Sequence, residues 1–122
     1  MTNAAHSAYR TSQSSAPSGR SVEAEAFATA ARMLHEAVES PADALKYLRA
    51  LEFNRKLWSV IEADVSDPKS PLPSEVRQDF LDLAVFVDEQ TALAVKEPAT
   101  DHLDSLIQIN RNLATGLFSD PR

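Results

Sequence analysis

Apolar residues recur along most of this chain at steps of three and four positions, the spacing that places them on one face of an α-helix. Two such stripes each contain one asparagine: the first is Tyr47, Leu51, Asn54, Trp58, Ile61 and Val65, and the second is Leu103, Leu106, Asn110, Leu113 and Leu117. A buried amide that lacks a hydrogen-bond partner costs about 1–3 kcal/mol. We therefore predict that Asn54 and Asn110 bond to each other or to the backbone of a neighbouring helix.

The first two helices are expected to meet at a tight corner. Ser21 can serve as the N-cap of the first helix. The apolar stripe of this helix consists of Phe27, Ala31, Leu34 and Val38. Ser40, followed by Pro41 and Asp43, has the pattern of a second helix start. This second helix should run to about Val65.

A third helix is expected after a proline-rich connection. Residues 66–73 contain three prolines, which excludes a helix there and predicts an ordered, extended surface loop. Pro73 then opens the third helix, which should stop at Glu97 because Pro98 follows. Residues 83–87 are apolar on every side of this helix, which predicts a centrally buried element.

A fourth helix completes the predicted fold. Asp101 can cap its start, and Gly116 can end it. The chain has 122 residues, enough for one domain with a real core. It contains 2 glycines and 7 prolines, and the glycine scarcity argues against a turn-rich β fold. We predict an all-α protein, a small bundle of four main helices.

The two ends of the chain are expected to lie outside this bundle. Residues 1–20 are of low complexity and form either a tail or a short docking helix near residues 4–13, with Tyr9 as its anchor. The predicted division is therefore an N-terminal segment at 1–20, a bundle domain at 21–118 and a C-terminal tail at 119–122.

The charge and hydropathy of the chain exclude some classes of partner. The net charge is −6 and the pI is about 4.9. Because nucleic-acid affinity depends on Lys and Arg that neutralise phosphates, direct RNA or DNA binding is disfavoured. No apolar run reaches the roughly 18–20 residues of a membrane span, and residues 1–20 lack the apolar centre of a signal peptide. We expect a cytoplasmic protein that binds neither nucleic acid nor membrane.

No arrangement of residues indicates catalysis. His6, His35 and His102 are far apart in the sequence, and the chain has no cysteine, which excludes thiolate ligands and cysteine nucleophiles. His35 and Glu39 have a spacing that can hold a metal on a helix face, but a solvated helix pair is far commoner at that spacing. We expect no enzyme activity, no cofactor and no bound metal.

Trp58 and the two arginines that follow the asparagines each have two interpretations. Trp58 either fills the core, with its indole N–H bonded to a carbonyl, or lines a groove for a partner helix; its position on the stripe of Asn54 favours the core. Arg55 and Arg111 lie one residue beyond their asparagines, about 100° around the helix, at the edge of the buried face. There they pair with acidic residues of a neighbouring helix, the favoured interpretation, or with a partner.

Five short motifs, taken together, are similar to those of a known family. The first two are Tyr9 alone and the set Arg20, Glu23 and Phe27. The third is Leu51, Phe53, Asn54, Arg55, Leu57 and Trp58. The fourth is Asp64, Ser66, Asp67, Pro68, Leu72 and Pro73, and the fifth is Ile109, Asn110, Arg111, Leu113, Gly116 and Leu117. With all five in order, the chain resembles the FlaF family of bacterial flagellar biosynthesis regulators.

The resemblance implies a small cytoplasmic protein that promotes flagellin synthesis and export, as a secretion chaperone that binds flagellin. The alternative is a post-transcriptional regulator that binds and antagonises the flagellin translation repressor FlbT without holding flagellin. Unassembled flagellin exposes amphipathic terminal helices, and the alanine-rich face of the first helix, with the N-terminal segment, would shield one of them. The residues expected to contact a partner are Tyr9, Arg20, Glu23, Phe27, Ala28, Ala30, Arg55 and Arg111, and those expected to be structural are Asn54, Trp58 and Asn110.

Overall fold

The computed structural model describes residues 19–119 of the chain, with side chains for residues 22–116. These residues form four α-helices, α1 Gly19–Glu39, α2 Ala44–Ser66, α3 Ser74–Lys96 and α4 Asp104–Ser119, with a short 3₁₀ helix, Thr100–Leu103, in front of α4. The described part contains no strand, which confirms the predicted all-α bundle of four main helices. The suggested helix near residues 4–13 and most of the C-terminal tail lie outside the described residues.

Each helix packs on its neighbour in the order α4, α1, α2, α3. The contact between α1 and α4 is the most extensive one among these helices. Helix α2 contacts α1 on one side and α3 on the other, and the 3₁₀ helix touches α1, α3 and α4. Helix α1 is therefore central in the bundle, whereas α3 lies at its edge.

The core consists of the predicted apolar stripes. All six positions of the stripe on α2 are buried. The first three positions of the α1 stripe are buried and the fourth, Val38, is half-buried. In the second asparagine-bearing stripe, the first three positions are buried and Leu113 is half-buried. The helical period of the sequence thus identified the inward faces of α1, α2 and α4.

The middle of α3 is more exposed than its composition predicts. Ala84 and Val87 are buried, but Val85 and Phe86 are 57% and 38% exposed. Because α3 packs mainly on α2 and the 3₁₀ helix, only one of its faces is covered. The prediction of a centrally buried helix at residues 83–87 is wrong, and this apolar run belongs to an edge helix.

The corner between α1 and α2 is capped by a residue other than the predicted one. Helix α2 begins at Ala44, and the carboxylate of Asp43 accepts a hydrogen bond of 2.9 Å from the backbone N–H of Lys46. Ser40 takes part through its backbone: its carbonyl accepts the N–H of Asp43 at 2.9 Å, and its own N–H donates to the carbonyl of Ala37 at 3.2 Å. Both residues are good N-caps, but the turn that Pro41 starts moves the first helical residue past Asp43.

The start and end of α4 also differ from the prediction. Asp101 lies within the 3₁₀ helix, so α4 begins only at Asp104. Gly116 does not end the helix, because its backbone stays helical and α4 continues to Ser119. Glycine enters the right-handed helical region about as easily as the left-handed one, so its presence alone does not stop a helix.

The connection between α2 and α3 folds into turns and is not extended as predicted. The carbonyl of Asp67 accepts the backbone N–H of Ser70 at 2.9 Å, and the Asp67 carboxylate accepts that of Lys69 at 2.8 Å. These bonds fold the segment back so that Leu72 is buried against the core. Helix α3 then ends at Lys96 with Glu97 as its C-cap, which confirms the predicted stop before Pro98.

Candidate functional site

The two asparagines meet in the interior of the bundle. The Nδ2 of Asn110 donates a hydrogen bond of 2.7 Å to the Oδ1 of Asn54. The indole Nε1 of Trp58 donates one of 3.2 Å to the Oδ1 of Asn110, and its ring packs on Phe27 with centroids 5.6 Å apart. All four side chains are buried. The Asn54–Asn110 bond is the first of the two predicted alternatives, and the burial of Trp58 confirms its core interpretation.

These three polar side chains form a structural link, which we call the amide cluster: Asn54, Trp58 and Asn110. It connects α2 to α4, two helices that share little direct backbone packing. Asn110 is its centre because it bonds to both other members, whereas the Nδ2 of Asn54 is buried without a hydrogen-bond partner. A buried bonded network of this kind specifies the register between helices. The amide cluster therefore positions α4 and is not itself accessible to a partner.

Arg55 lies on the exposed side of α2 and is held by its own helix. Its Nε and Nη2 donate hydrogen bonds of 3.1 and 2.8 Å to the two carboxylate oxygens of Glu52. This bidentate pair of hydrogen bonds, called the fork below, holds the pKa of Glu52 below its usual range and raises the pKa of the Arg55 guanidinium. The predicted structural ion pair exists, but within α2 and not with a neighbouring helix.

Arg111 has a different environment. Within the described part of the chain, its guanidinium makes no hydrogen bond and no ion pair. It is exposed and borders two adjoining hollows of about 440 and 300 Å³ that run between α1 and α4. We call this surface the α1–α4 trough. It is lined from α1 by Ala28, Ala31, Arg32, His35 and Val38, and from α4 by Asp104, Ile107, Gln108, Arg111, Ala114 and Thr115.

The α1–α4 trough combines a floor of small side chains with a basic rim. Ala31 and Ala114 are buried beneath it and Ala28 is exposed in it. The rim carries Arg32 and Arg111, and a histidine shared by both hollows. Arg32 reaches its nearest carboxylate, on the same helix, only at 4.0 Å and with both side chains more than half exposed. The trough therefore presents small side chains and positive charge on the same surface.

Apart from Arg55, which is described above, the predicted partner residues lie in several different environments. Ala28 and Arg111 belong to the trough, and Glu23 is half-buried on α1. Tyr9 and the side chain of Arg20 lie outside the described residues. Phe27 and Ala30 have no exposed surface at all, because their side chains are buried in the core. Their assignment to a partner surface is therefore corrected to the core.

Sequence reasoning missed most of the trough. The helical period assigns Ala31 to the apolar stripe of the first helix, and nothing in the pattern singles out Ala114 or Arg32. Which side chains border a groove depends on which helices are neighbours, and the helical period does not specify that. The sequence does carry one sign that Arg111 is available to a partner. Three residues before Arg111 stands the neutral Gln108, whereas three residues before Arg55 stands the acidic Glu52.

A second surface feature lies on the edge helix. Helix α3 exposes Val85, Phe86 and Val95, and α2 exposes Val60.

The described residues contain no cluster of three or more side chains suited to holding a metal. None of the described helices is both long and apolar enough to cross a membrane.

Comparison with known proteins identifies one family. The family model described as flagellar protein FlaF matches residues 5–117. No curated protein and no solved structure matched the chain. The matched region includes every helix described above except the last two residues of α4.

Proposed function

Because the chain belongs to the FlaF family of flagellar proteins, we propose that it binds unassembled flagellin in the cytoplasm and promotes flagellin synthesis and export as a secretion chaperone. The observation that supports this proposal is the α1–α4 trough, a surface between two helices with an alanine floor. In this proposal the protein acts by binding alone, without catalysis and without a cofactor.

The trough has features that suit a flagellin helix. Flagellin polymerises through amphipathic terminal helices, so a subunit that has not yet assembled exposes an apolar stripe to water. A groove between two helices takes such a stripe side by side, as in other helix-in-groove complexes. Small side chains at Ala28, Ala31 and Ala114 allow close approach of the incoming helix. Release at the export gate then requires only that this one contact open.

A second candidate function is supported by the edge helix. The exposed Val85, Phe86 and Val95 of α3 lie on a different helix from those that form the trough. Large apolar side chains exposed on a helix can mark a protein contact. In the alternative proposal this face binds the translation repressor FlbT, and the protein relieves repression without holding flagellin.

Co-purification separates the two functions. The tagged full chain is mixed with flagellin of the same organism, and separately with FlbT, at about 50 mM and 500 mM salt. The chaperone proposal expects a one-to-one flagellin complex that persists in high salt, because apolar burial is not screened. Binding to FlbT with no flagellin complex at either salt concentration would replace it with the alternative. A complex that needs nucleic acid and dissolves steeply with salt would contradict both.

A further inference from the structure

The charge of the α1–α4 trough differs from that of the protein as a whole. The chain carries 18 acidic and 12 basic residues. Within the trough, Arg32 and Arg111 face a single acidic lining residue, Asp104. The guanidinium of Arg111 has no acidic partner among the described residues, although it projects from the helix that the amide cluster fixes in place. A surface built this way attracts negative charge at one place on an otherwise repulsive body.

We propose that the trough recognises an acidic side of the flagellin helix, with a carboxylate of that helix bound by Arg111. This inference rests on the proposed flagellin binding and specifies its chemistry. The occupant is an amphipathic helix whose small apolar residues lie on Ala28, Ala31 and Ala114. Its Asp or Glu side chain projects toward α4, where the planar guanidinium can bind both carboxylate oxygens.

Arg111 is the anchor because the other two basic side chains of the trough, Arg32 and His35, already lie near acids. Arg32 lies 4.0 Å from Glu36, and His35 lies 3.5 Å from Glu39, each pair one turn apart on α1. A ligand carboxylate would compete with Glu36 at Arg32, whereas no carboxylate of the described residues lies within ion-pair distance of Arg111. The acidic remainder of the surface repels the same helix elsewhere, so charge also sets where it docks.

The test measures flagellin affinity for the full chain and three variants by titration at several salt concentrations. Arg111→Glu reverses the charge at the anchor, and Arg111→Lys keeps the charge but removes the fork. Lys69→Glu makes the same change in net charge on the exposed connection between α2 and α3. Far-UV circular dichroism and thermal melts establish that each variant is folded like the parent.

The inference expects Arg111→Glu to weaken binding at least about tenfold and to reduce its salt dependence. Arg111→Lys should fall between the parent and Arg111→Glu, and Lys69→Glu should change affinity less than about twofold. If Arg111→Glu binds flagellin as tightly as Lys69→Glu, the carboxylate inference is overturned while flagellin binding stands. If the parent chain itself binds no flagellin, the proposed function fails and the inference fails with it, a result that the parent measurement alone identifies.

Discussion

The two Asn-Arg pairs of this chain begin from the same local pattern and end in different roles. Asn54 and Asn110 converge from α2 and α4 and bond to each other inside the bundle. The arginines that follow them diverge: Arg55 is forked onto Glu52, whereas Arg111 borders the α1–α4 trough without an acidic partner among the described residues.

The difference follows from one position in each motif. Three residues before Arg55 stands Glu52, within reach on the same helix face. Three residues before Arg111 stands the neutral Gln108, whose amide instead donates to Asn112 at 3.1 Å. Packing therefore determines the buried half of this repeated motif, whereas its exposed half depends on the residue one turn away.

The largest expected effect comes from unequal loss of the two asparagines. Asn110→Leu leaves both the Trp58 N–H and the Asn54 amide buried without partners, and should lower the free energy of unfolding by about 3 kcal/mol. Asn54→Leu leaves only the Nδ2 of Asn110 without an acceptor, and it also removes the Nδ2 of Asn54, which already lacks a partner. It should cost about 1 kcal/mol. Urea denaturation of both variants measures the difference, and equal losses would contradict the central place of Asn110.

The double variant sharpens the same comparison. With Asn54→Leu and Asn110→Leu together, only the Trp58 N–H is left without an acceptor, so the loss should be smaller than the sum of the single losses. Strict additivity within about 0.5 kcal/mol would argue that the two amides do not interact directly.

A smaller effect is expected at the donor of the cluster. Trp58→Phe removes one hydrogen bond and some ring volume, and should cost about 2 kcal/mol in the parent. In the Asn110→Leu background the indole N–H is already orphaned, so the same substitution should cost less. The free energies of unfolding for this double-mutant cycle are obtained from denaturation curves. If Trp58→Phe costs the same in both backgrounds, Trp58 stabilises the fold by packing alone.

The smallest effect is expected at the exposed arginines. Arg55→Gln should let the pKa of Glu52 return upward toward its usual range, because the fork that lowers it is gone. Since that pKa is lower in the folded state, the pair's small stabilisation is present above the usual glutamate pKa and disappears as pH falls through the lowered value. Side-chain NMR titration of Glu52 measures the shift. Arg111→Gln is the matched control and should leave the Glu52 titration unchanged.

Much of the bundle could be predicted from the sequence, for a definite physical reason. The period of apolar residues identifies an inward face, and the cost of burying an amide predicts that Asn54 and Asn110 find partners. The period does not say which helices are neighbours. That limit explains why Val85 and Phe86, on an edge helix, were expected to be buried, and why Phe27 and Ala30 were placed on a partner surface.

The same limit applies to the candidate site. The trough exists because α4 lies beside α1, and this adjacency depends on contacts between distant parts of the chain. Ala28 was identified because it is small and lies on α1, but its neighbours across the groove were not. Local signals such as Ser40 and Gly116 failed for a related reason: a cap or stop residue permits a helix end without requiring one.

A bulky side chain in the trough is the sharpest test of whether flagellin binds there. Ala28→Trp fills the exposed floor of the α1–α4 trough, and Ala92→Trp makes the same change at an exposed position on the edge helix α3. Flagellin affinity is measured for both by titration, with melting curves to confirm equal folding. We predict that Ala28→Trp loses flagellin binding by more than about tenfold while Ala92→Trp binds as the parent does. Undiminished binding by Ala28→Trp would contradict the assignment of the trough as the flagellin site.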